Sequence, residues 1–490
     1  MKLSELIPEV LFSSQYDPSL EVNGIASHTD DVKQGDLFIC KKGRRFDPSC
    51  LLSLVEKKGA VAVIAEQSLT LPPSHIPCFR VHDAREAEAV GLYHLYHLDK
   101  GMPKLIGITG TNGKTSTAWM VHHVLKENGV CCGYIGTLGT FLNGNRLSAF
   151  CADGITTPPP SLLFSVLGHF RDVGAEAVVM EVSSHALSQK RVHGLSFAFG
   201  VFTNLTEDHL DYHHTWEDYF EAKRALFEQT KHAVINVDDP YGKQLYSLLS
   251  IPKSSCGVIE DASYFIEDLY ETPAEGTKYR CVTPYMPFPV SYPLSGSFNV
   301  YNTLLAITVS LLYGLCPDQI QKALSCLPAI PGRFERLPID APFTVIIDYA
   351  HTPDAMEQAL KAARRLTKGD LYALFGAGGE REKEKRSVMG RIAETLADFC
   401  IVTTDNPRGE RPCAIFADIL SGMQRSEKRL VISDRRRAII TALLRLKAGD
   451  TLLLLGKGHE EYIITREGKK HFSEREIVTS FMERIQHNDH

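Results

Sequence analysis

The sequence predicts an α/β protein of about three domains. Its 490 residues exceed what one hydrophobic core can hold at roughly 150 residues per domain. Short apolar runs recur after residue 103, each followed by a polar turn and a helical stretch. Because they are continuously apolar and not alternating, they are typical of strands buried on both faces of a parallel sheet. The runs span residues 104–108, 177–181, 199–203, 232–237, 344–348, 371–375, 400–403 and 451–455.

Two stretches mark the predicted domain boundaries. Residues 99–103 precede the first strong strand, and residues 328–332 place proline and glycine between a helical segment and a new series of strands. They divide the chain into residues 1–101, 102–331 and 332–490, of which the first is a smaller α/β unit. Polar residues gather just past the carboxyl ends of the apolar runs, the edge where open α/β sheets bind ligands.

The composition is that of an ordinary globular protein, because 44% hydrophobic and 23% charged residues exclude disordered and fibrous classes. The formal charge of −6 gives no indication of nucleic-acid or membrane-surface binding. The first ten residues lack the apolar segment of a signal peptide, and residues 452–455 are far too few to span a bilayer. We therefore expect a cytoplasmic protein without membrane insertion, whose 12 cysteines are reduced.

Residues 107–117 combine glycines with an adjacent lysine and threonine, between a predicted strand and an amphipathic helix. Glycines let backbone N–H groups approach a phosphate, and a helix N-terminus favours negative charge. Lys114 can reach the β- and γ-phosphates of a nucleotide, and the Thr115 hydroxyl can ligate Mg²⁺. Ile108 replaces the first glycine of the common motif, and a glycine-rich turn without a ligand is the alternative. ATP and magnesium are predicted at Gly110, Thr111, Asn112, Gly113, Lys114, Thr115 and Ser116.

Two further polar clusters follow predicted strands. Glu181 ends the second apolar run, where an acidic residue is a magnesium ligand in many phosphate-loop enzymes. Residues 203–213 hold several oxygen and imidazole donors, and this density suggests a second cation site. Lys223 lies in a predicted helix, where a lysine is usually a solvated surface residue.

The loop at residues 110–115 resembles that of the Mur ligases, the ATP-dependent amino-acid ligases of peptidoglycan synthesis. The related folylpolyglutamate synthetases carry a similar loop. The resemblance covers about residues 104–462, because other family motifs follow in order. They stand at residues 156–158, 181–185, 203–213, 221–223, 296–299, 331–333, 348–353 and 456–460.

The resemblance implies an N-terminal UDP-binding domain, a central phosphate-loop ATPase with a parallel sheet, and a C-terminal Rossmann-like domain that brings the amino acid. It implies two Mg²⁺ ions, one held by Thr115 and Glu181 and the other by His209 and Lys223. Lys223 would then be carbamylated by CO₂, which replaces the surface-lysine interpretation. The catalytic residues would be Lys114, Glu181, His209 and Lys223. Nucleotide contacts are implied for Asn299 at adenine and for Arg333 and Asp348 at phosphate and ribose.

The implied reaction activates a carboxylate, which is a poor acyl donor at neutral pH. ATP would phosphorylate the γ-carboxylate of D-glutamate, and Lys114 with two Mg²⁺ ions would offset charge along that path. The amine of the incoming amino acid would then attack the acyl phosphate, and a tetrahedral intermediate would collapse to amide and phosphate. Closure of the C-terminal domain onto the central domain is expected, because the amino-acid site and the ATP site would lie on different domains.

Residues 405–408 resemble the recognition motif of the members that add meso-2,6-diaminopimelate to UDP-N-acetylmuramoyl-L-alanyl-D-glutamate. Diaminopimelate differs from lysine by a distal carboxylate, which a guanidinium can bind bidentately. Arg408 would therefore discriminate between the two acceptors, with Arg381 as the matching second arginine. The diaminopimelate site is expected to comprise Arg381, Asp405, Asn406, Pro407, Arg408, Gly456 and Glu460.

The N-terminal domain departs from the family pattern. Residues 32–38 fit it, but Ser27 stands between Ala26 and His28, where the family has aspartate and arginine. Arg44 and Arg45 replace other residue types and could bind a diphosphate. On the muramoyl-dipeptide side Ile155 replaces a common asparagine. The residues that match there are Thr156, Thr157, Ser183, Gln189 and Arg191.

Three alternatives stay open at this stage. A member that adds L-lysine would need Arg408 to be idle. A folylpolyglutamate synthetase would lack both the unit at residues 35–38 and the motif at residues 405–408. A non-catalytic nucleotide-binding homologue would bind ATP without substrate-dependent phosphate release. We expect small-molecule substrates, no nucleic acid and a monomer.

Overall fold

A parallel four-stranded sheet forms the N-terminal part of the chain. The computed structural model describes residues 1–8, 19–41, 48–151, 154–258, 262–272 and 276–488. The strand order is β1-β2-β3-β4, and Asp83 caps the third helix by accepting hydrogen bonds from two backbone N–H groups of its first turn. The elements are α1 (Leu3–Leu6), β1 (Gly24–Ala26), β2 (Asp36–Cys40), α2 (Leu52–Lys57), β3 (Ala62–Glu66), β4 (Cys78–Val81) and α3 (Ala84–Leu95).

The central part is built on an eight-stranded sheet of order β12-β11-β10-β5-β9-β6-β7-β8. It is parallel from β12 to β6, and β7 and β8 add an antiparallel edge. Its elements are β5 (Lys104–Thr109), α4 (Lys114–Glu127), β6 (Cys132–Gly136), β7 (Gly139–Leu142), β8 (Asn145–Arg146), α5 (Pro160–Asp172), β9 (Ala177–Glu181), α6 (Ser184–Ser188), β10 (Phe197–Phe202), α7 (Leu210–His213), α8 (Trp216–Arg224), β11 (Thr230–Asn236), α9 (Pro240–Leu248) and β12 (Lys253–Cys256).

An antiparallel three-stranded sheet and two helices complete this part. The sheet consists of β13 (Phe265–Thr272), β14 (Gly276–Val282) and β15 (Phe288–Tyr292), followed by α10 (Ser297–Tyr313) and α11 (Pro317–Ser325). The sequence prediction missed this sheet because its strands alternate. In β14, Tyr279 and Cys281 are buried whereas Lys278 and Arg280 are exposed, a pattern typical of a sheet with one solvated face.

The C-terminal part holds a six-stranded sheet of order β16-β17-β21-β18-β19-β20, parallel except for its short edge strand β16. A hairpin, β22–β23, extends from it. The elements are β16 (Glu335–Arg336), β17 (Thr344–Asp348), α12 (Pro353–Leu366), β18 (Leu371–Phe375), α13 (Glu384–Leu396), β19 (Phe399–Val402), α14 (Pro412–Leu420), β20 (Arg429–Val431), α15 (Arg435–Leu443), β21 (Thr451–Leu455), β22 (Tyr462–Thr465), β23 (Gly468–His471) and α16 (Glu474–Asn488).

The predicted α/β class with parallel sheets is confirmed. All eight apolar runs are strands, and four of them, β9, β17, β18 and β21, have the predicted bounds. Separate apolar clusters cover the two faces of the central sheet and the two faces of the C-terminal sheet, which explains why these strands are continuously apolar. Within the described part of the chain, no helix combines the length and apolar character needed to cross a membrane.

Candidate active site

A cavity of about 640 Å³ lies where the carboxyl ends of the central strands face those of the C-terminal sheet. It collects residues that the sequence predicts for three different ligands. Because the strands converge on it from two sheets, one ligand can contact both parts of the chain. The predicted residues that line it are Thr111, Asn112, Gly113, Lys114, Thr115, Ser116, Thr156, Glu181, His209, Arg333, Asp348, Arg381, Asp405, Asn406, Arg408, Gly456 and Glu460.

The phosphate loop between β5 and α4 is held tightly against the end of β10. The backbone N–H groups of Thr111 and Asn112 donate to the carbonyl and the side-chain oxygen of Asn204, each at 2.9 Å. Gly110 has φ +144°, and a Cβ there would collide with the hydroxyl of Thr203. Glycine is therefore required at this close approach.

Lys114 is folded back over this loop. Its Nζ donates to the carbonyl oxygens of Gly110 at 2.9 Å and Thr111 at 2.8 Å. Desolvation lowers the pKa of Lys114, although the carboxylates of Glu181 and Asp208 oppose that shift. The ammonium group thus lies on the loop surface that would face a bound triphosphate.

Glu181 at the end of β9 is fully buried and accepts four hydrogen bonds. Its Oε1 accepts from the Tyr134 hydroxyl at 2.7 Å and from the Thr137 N–H at 2.8 Å. Its Oε2 accepts from the hydroxyls of Thr115 at 2.9 Å and Thr137 at 3.0 Å. Adjacent ligands of an octahedral Mg²⁺ lie about 3 Å apart, so the Thr115 and Glu181 oxygens have a suitable spacing.

Arg333 reaches from the C-terminal part into the phosphate loop. Its Nη2 donates to the Thr115 hydroxyl at 2.9 Å, and its guanidinium lies 4.5 Å from the ring centre of Tyr349. Its Nε is buried without a partner among the described residues. Asp348 accepts from the N–H groups of Phe334 at 2.6 Å and Ala350 at 2.7 Å, while burial raises its pKa.

Asn299 lies outside the cavity lining. It is buried in the first turn of α10, and its Nδ2 donates to the carbonyl of Ser295 at 2.8 Å. The neighbouring residues Ser297, Phe298 and Asn302 line the cavity instead. An adenine contact by Asn299 would require its amide to exchange this hydrogen bond for one to the base, and its role stays a prediction.

Lys223 is buried on α8 beneath the phosphate loop, behind the cavity lining. Its Nζ donates to the Gly110 carbonyl at 2.7 Å and lies 4.5 Å from the ring centre of Tyr219. Desolvation and the nearby charge of Lys114 hold its pKa well below the ordinary lysine value. Burial thus favours the neutral amine more than it is favoured in an ordinary lysine, and it excludes the solvated-surface interpretation.

His209 lies at the cavity edge in the left-handed backbone region, with φ +58°. Its Nε2 is 3.4 Å from the carboxylate of Asp208, and its ring packs edge-on against His185 at 4.7 Å. Desolvation lowers the pKa of His209, so the imidazole is neutral and can act as a ligand. Over the described residues, no group of three or more histidine, cysteine and acidic side chains is arranged to hold a metal ion.

The predicted acceptor residues meet around a second buried lysine. Lys457 donates to Asn406 Oδ1 at 2.6 Å and to Glu460 Oε2 at 3.0 Å, and lies 3.7 Å from Asp405. Asn406 Nδ2 in turn donates to Glu460 at 2.9 Å. Gly456 has φ +104°, and a Cβ there would collide with the carboxylate of Asp405. Pro407 is buried beside this cluster.

Arg408 and Arg381 lie close together in the same cavity, both beside Gly378. Arg408 has φ +50°, and its Nη1 donates to the Gly379 carbonyl at 2.7 Å. Desolvation and the Arg381 charge lower the pKa of Arg408. Two guanidinium groups that repel each other form a site that a carboxylate would stabilise.

The residues predicted for the muramoyl dipeptide form a hydrogen-bonded chain. Arg191 donates to the carbonyl of Thr157 at 2.7 Å and to Gln189 Oε1 at 2.8 Å. The Thr157 hydroxyl donates to Ser183 Oγ at 3.2 Å. Ser27, in the N-terminal part, is partly exposed and does not line the cavity. Arg44 and Arg45 lie outside the described residues.

Two family profiles match the chain. That of the Mur ligase middle domain matches residues 108–310, and that of the Mur ligase glutamate ligase domain matches residues 332–458. The chain belongs to the Mur ligase family. It is 41% identical to a UDP-N-acetylmuramoyl-L-alanyl-D-glutamate–2,6-diaminopimelate ligase of Aquifex aeolicus, over 94% of each chain. It is 36% identical to a Clostridium acetobutylicum ligase of the same name, numbered 1, over 99% of this chain and 100% of that one.

Solved Mur ligase structures have the same fold. A structure titled UDP-N-acetylmuramoyl-L-alanyl-D-glutamate–2,6-diaminopimelate ligase superposes with a TM-score of 0.71 at 30% identity, covering 99% of both chains. The MurF ligase of Thermotoga maritima in complex with ADP superposes with a TM-score of 0.63 at 19% identity, covering 96% of this chain and 99% of that chain. The latter likeness concerns the fold alone.

Sequence reasoning missed several side chains at this Mur ligase site. Tyr134 and Thr137 hold Glu181, and Lys457 holds the acceptor cluster. Lys457 stands inside the motif at residues 456–460 and directly follows an apolar strand, and that position was a usable signal. Tyr134 and Thr137 gave none, because they belong to a strand and turn that the apolar pattern did not single out.

Proposed function

We propose that this chain joins meso-2,6-diaminopimelate to the D-glutamate of UDP-N-acetylmuramoyl-L-alanyl-D-glutamate, in peptidoglycan precursor synthesis. The chain is an ATP-dependent ligase that forms an amide bond. One observation carries the choice of acceptor: a single cavity contains both the phosphate loop and the arginine pair, Arg381 and Arg408. Relatives named for this reaction are 41% and 36% identical over nearly the whole chain and support the same substrates.

The phosphate loop and the C-terminal arginine supply the first half of the reaction. Lys114 and Arg333 would bind the triphosphate, since both cations lie at the loop. The N–H of Arg333 Nε has no hydrogen-bond partner among the described residues and could donate to a phosphate oxygen. The γ-carboxylate oxygen of D-glutamate would attack the γ-phosphorus, forming an O–P bond while the bond to ADP breaks. In the resulting acyl phosphate the leaving group at the acyl carbon is phosphate, which departs far more readily than the oxide of a free carboxylate.

The second half forms the amide. The acceptor's amine nitrogen attacks the acyl carbon, a C–N bond forms, and the tetrahedral intermediate expels phosphate while the nitrogen loses a proton. The acceptor site holds its amino acid near the phosphate loop, which supplies the proximity that a three-substrate reaction needs. The distal carboxylate would lie between Arg381 and Arg408, and Asp405, Asn406 and Glu460 would receive ammonium groups.

Magnesium fits the residues present. Thr115 and Glu181 offer two adjacent oxygens at 2.9 Å, and the remaining ligands would be nucleotide oxygens and water. Bound there, the ion would neutralise charge on the transferring phosphoryl group. His209 and a carbamate on Lys223 would hold a second ion, and the lowered pKa of Lys223 favours the neutral amine that reacts with CO₂.

The donor substrate would extend from the cavity toward the N-terminal part. Thr156 lines the cavity, and the chain of Thr157, Ser183, Gln189 and Arg191 offers polar groups behind it. Ser27 would contact the UDP end. The division into residues 1–101, 102–331 and 332–490 is supported by the sheets, because each segment contains one sheet of four or more strands. A monomeric, cytoplasmic enzyme stays a prediction.

Phosphate release by the purified chain tests the proposed function. The reaction contains ATP, Mg²⁺ and UDP-N-acetylmuramoyl-L-alanyl-D-glutamate, with either meso-diaminopimelate or L-lysine as acceptor. We expect release with diaminopimelate, little with lysine, and none from a Lys114→Ala variant. Release with lysine alone would keep the ligase reaction and refute the acceptor. No phosphate release with either acceptor would favour a non-catalytic nucleotide-binding homologue.

A further inference from the structure

A fully buried arginine on α13 connects the two loops that carry Arg381 and Arg408. Arg386 Nη1 donates to Glu410 Oε1 and to Asp418 Oδ2, both at 2.8 Å. Its Nη2 donates to Glu410 Oε2 at 2.8 Å and to the carbonyl of Gly378 at 3.1 Å. The Arg386 side chain is fully buried, whereas the side chains of Glu410 and Asp418 are 16% and 39% exposed. The Arg386–Glu410 contact is bidentate, which fixes the orientation of both groups.

Glu410 completes the connection from the other loop. Its Oε2 also accepts from the backbone N–H of Glu380 at 3.1 Å, next to Arg381 in the chain. Two further hydrogen bonds reinforce it: the Gly379 N–H donates to the Asn406 carbonyl at 2.9 Å, and Arg408 Nη1 donates to the Gly379 carbonyl at 2.7 Å. The loop after β18 and the loop after β19 are thus held together by the Arg386–Glu410 ion pair and by these two hydrogen bonds.

This ion pair makes no contact of its own with the cavity. Neither Arg386 nor Glu410 lines it, whereas Arg381 and Arg408 do. Burying Arg386 removes the hydration of its charge and so costs free energy, even though three protein groups pair with it. Such a buried pair is weak evidence for stability, but it can have a use in fixing geometry. Its position behind the two cavity arginines suggests what that use is. It holds two guanidinium groups at a fixed separation although their charges repel each other.

We propose that Arg386, paired with Glu410, is a positioning residue that sets the separation of Arg381 and Arg408 and so the selectivity for an acceptor with a distal carboxylate. The inference rests on the proposed function, because it concerns the acceptor of that reaction. L-Lysine lacks this carboxylate and has nothing to place between the arginines. A shift of the arginine pair therefore affects diaminopimelate and leaves lysine largely unaffected.

Lys457 provides the contrast within the acceptor site. It holds Asn406 and Glu460, which face the ammonium groups that diaminopimelate and lysine share. A Lys457→Met variant should therefore lose activity with both acceptors in parallel. Arg386 would thus support the part of the pocket that binds the carboxylate, and Lys457 the part that binds the ammonium group.

The test compares Arg386→Lys, Glu410→Gln and the double variant by phosphate release with each acceptor over a range of concentrations. Lysine keeps a charge but cannot reproduce the bidentate contact. We expect kcat/KM for diaminopimelate to fall at least about tenfold, mainly through KM, with lysine changed less than about threefold. The double variant should lose no more than the worse single variant, because both substitutions break the same contact.

Met389→Ala is the matched control. Met389 is buried on the same helix and packs in the apolar core, so its truncation lowers thermal stability while the hydrogen bonds of Arg386 and Glu410 stay in place. It should leave the ratio of the two acceptors unchanged. An Arg386→Lys enzyme that keeps the wild-type ratio, or loses both acceptors in parallel, overturns the inference.

Failure of the proposed function gives a different result. In that case the wild-type chain itself releases no phosphate with diaminopimelate. Amide hydrogen exchange at residues 378–381 and 405–410 then tests the positioning role without turnover. Faster exchange in both loops of Arg386→Lys than of Met389→Ala supports it, and equal exchange refutes it.

Discussion

Two lysines share one acceptor beneath the phosphate loop. Lys114 and Lys223 both donate to the carbonyl of Gly110, at 2.9 and 2.7 Å. Burial, and after it the repulsion between two ammonium groups so placed, lowers the pKa of Lys223 well below its usual value. A carbamate at Lys223 replaces a cation with an anion, so it removes this repulsion and adds attraction to Lys114.

Substitution of Lys223 tests that reasoning. Lys223→Ala and Lys223→Arg should each lower turnover at least about 100-fold, because neither side chain can form a carbamate or its metal contact. Short-chain carboxylates should partly restore Lys223→Ala, whose truncated side chain leaves room, and not Lys223→Arg. A ¹³C carbamate resonance from labelled bicarbonate should be present in the wild type and absent from both variants. Full activity of Lys223→Ala would remove this lysine from the mechanism.

Arg408 should determine which amino acid is accepted. Leaving a buried carboxylate without its charged partner costs about 2–5 kcal/mol, so Arg408→Ala should reduce kcat/KM for diaminopimelate by about 30-fold to several thousand-fold. Activity with lysine should hardly change. Arg466→Ala is the control, since this exposed arginine donates to the neighbouring Gly409 carbonyl at 2.9 Å. Equal losses with both acceptors would contradict the assigned selectivity.

At the scale of elements, the sequence was informative where strands are buried on both faces. Strand β9 was predicted with its observed bounds because Ala177–Met180 is uninterrupted and apolar and sits between two apolar layers. Glu181 at its end could likewise be singled out. Strand β14 was missed because only every second side chain is buried. Alternation over seven residues is a weaker signal than a continuous apolar run.

Contacts between distant elements could not be predicted. Arg386 and Glu410 are 24 positions apart, and Lys457 and Asn406 are 51 apart. Sequence spacing says nothing about such pairs until the β18 and β19 loops are brought side by side. Arg386 and Glu410 stand outside the motifs that the sequence singled out, whereas Lys457 and Asn406 each lie within one. Their burial is a product of the tertiary fold.

The ion pair between α13 and the β19 loop should also shape acid stability. The hydrogen bonds and charge of Arg386 lower the pKa of Glu410 from 4.5 to about 2. A depressed carboxyl pKa stabilises the folded state above the unfolded pKa, and that stability is lost as pH falls from about 4.5 toward 2. Glu410→Gln should therefore lose less stability than the wild type over this range in denaturant titrations. Glu427→Gln, in an exposed turn, should follow the wild-type curve.

At the scale of the whole molecule, the proposed reaction would bring together ligands bound at the edges of two sheets, the central one and the C-terminal one. The contacts between the two parts include three hydrogen bonds: Arg333 to Thr115 at 2.9 Å, Asn112 to Asp354 at 2.9 Å, and the Asp211 N–H to Glu382 at 3.2 Å. Two of the three involve the phosphate loop or the first residues of its helix. We therefore expect nucleotide binding and the position of the C-terminal part to be coupled through these side chains.

Asp354 offers a test of this coupling, because its carboxylate on α12 accepts a hydrogen bond from the Asn112 amide of the phosphate loop at 2.9 Å. A hydrogen bond to a charged group contributes about 1.5–3 kcal/mol, so Asp354→Ala should lower kcat/KM about 10- to 150-fold if the bond forms only in the closed arrangement. Small-angle scattering with an ATP analogue should show a larger radius of gyration than the wild type.

Glu357→Gln separates this effect from damage to α12, since Glu357 pairs with Lys361 on the partly exposed face of the same helix at 2.6 Å. It should change neither the scattering nor the kinetics. Unchanged kinetics in Asp354→Ala would mean that Arg333 and Glu382 suffice to hold the two parts together. Nucleotide binding at the phosphate loop would then affect the acceptor site by a route other than Asn112, or not at all.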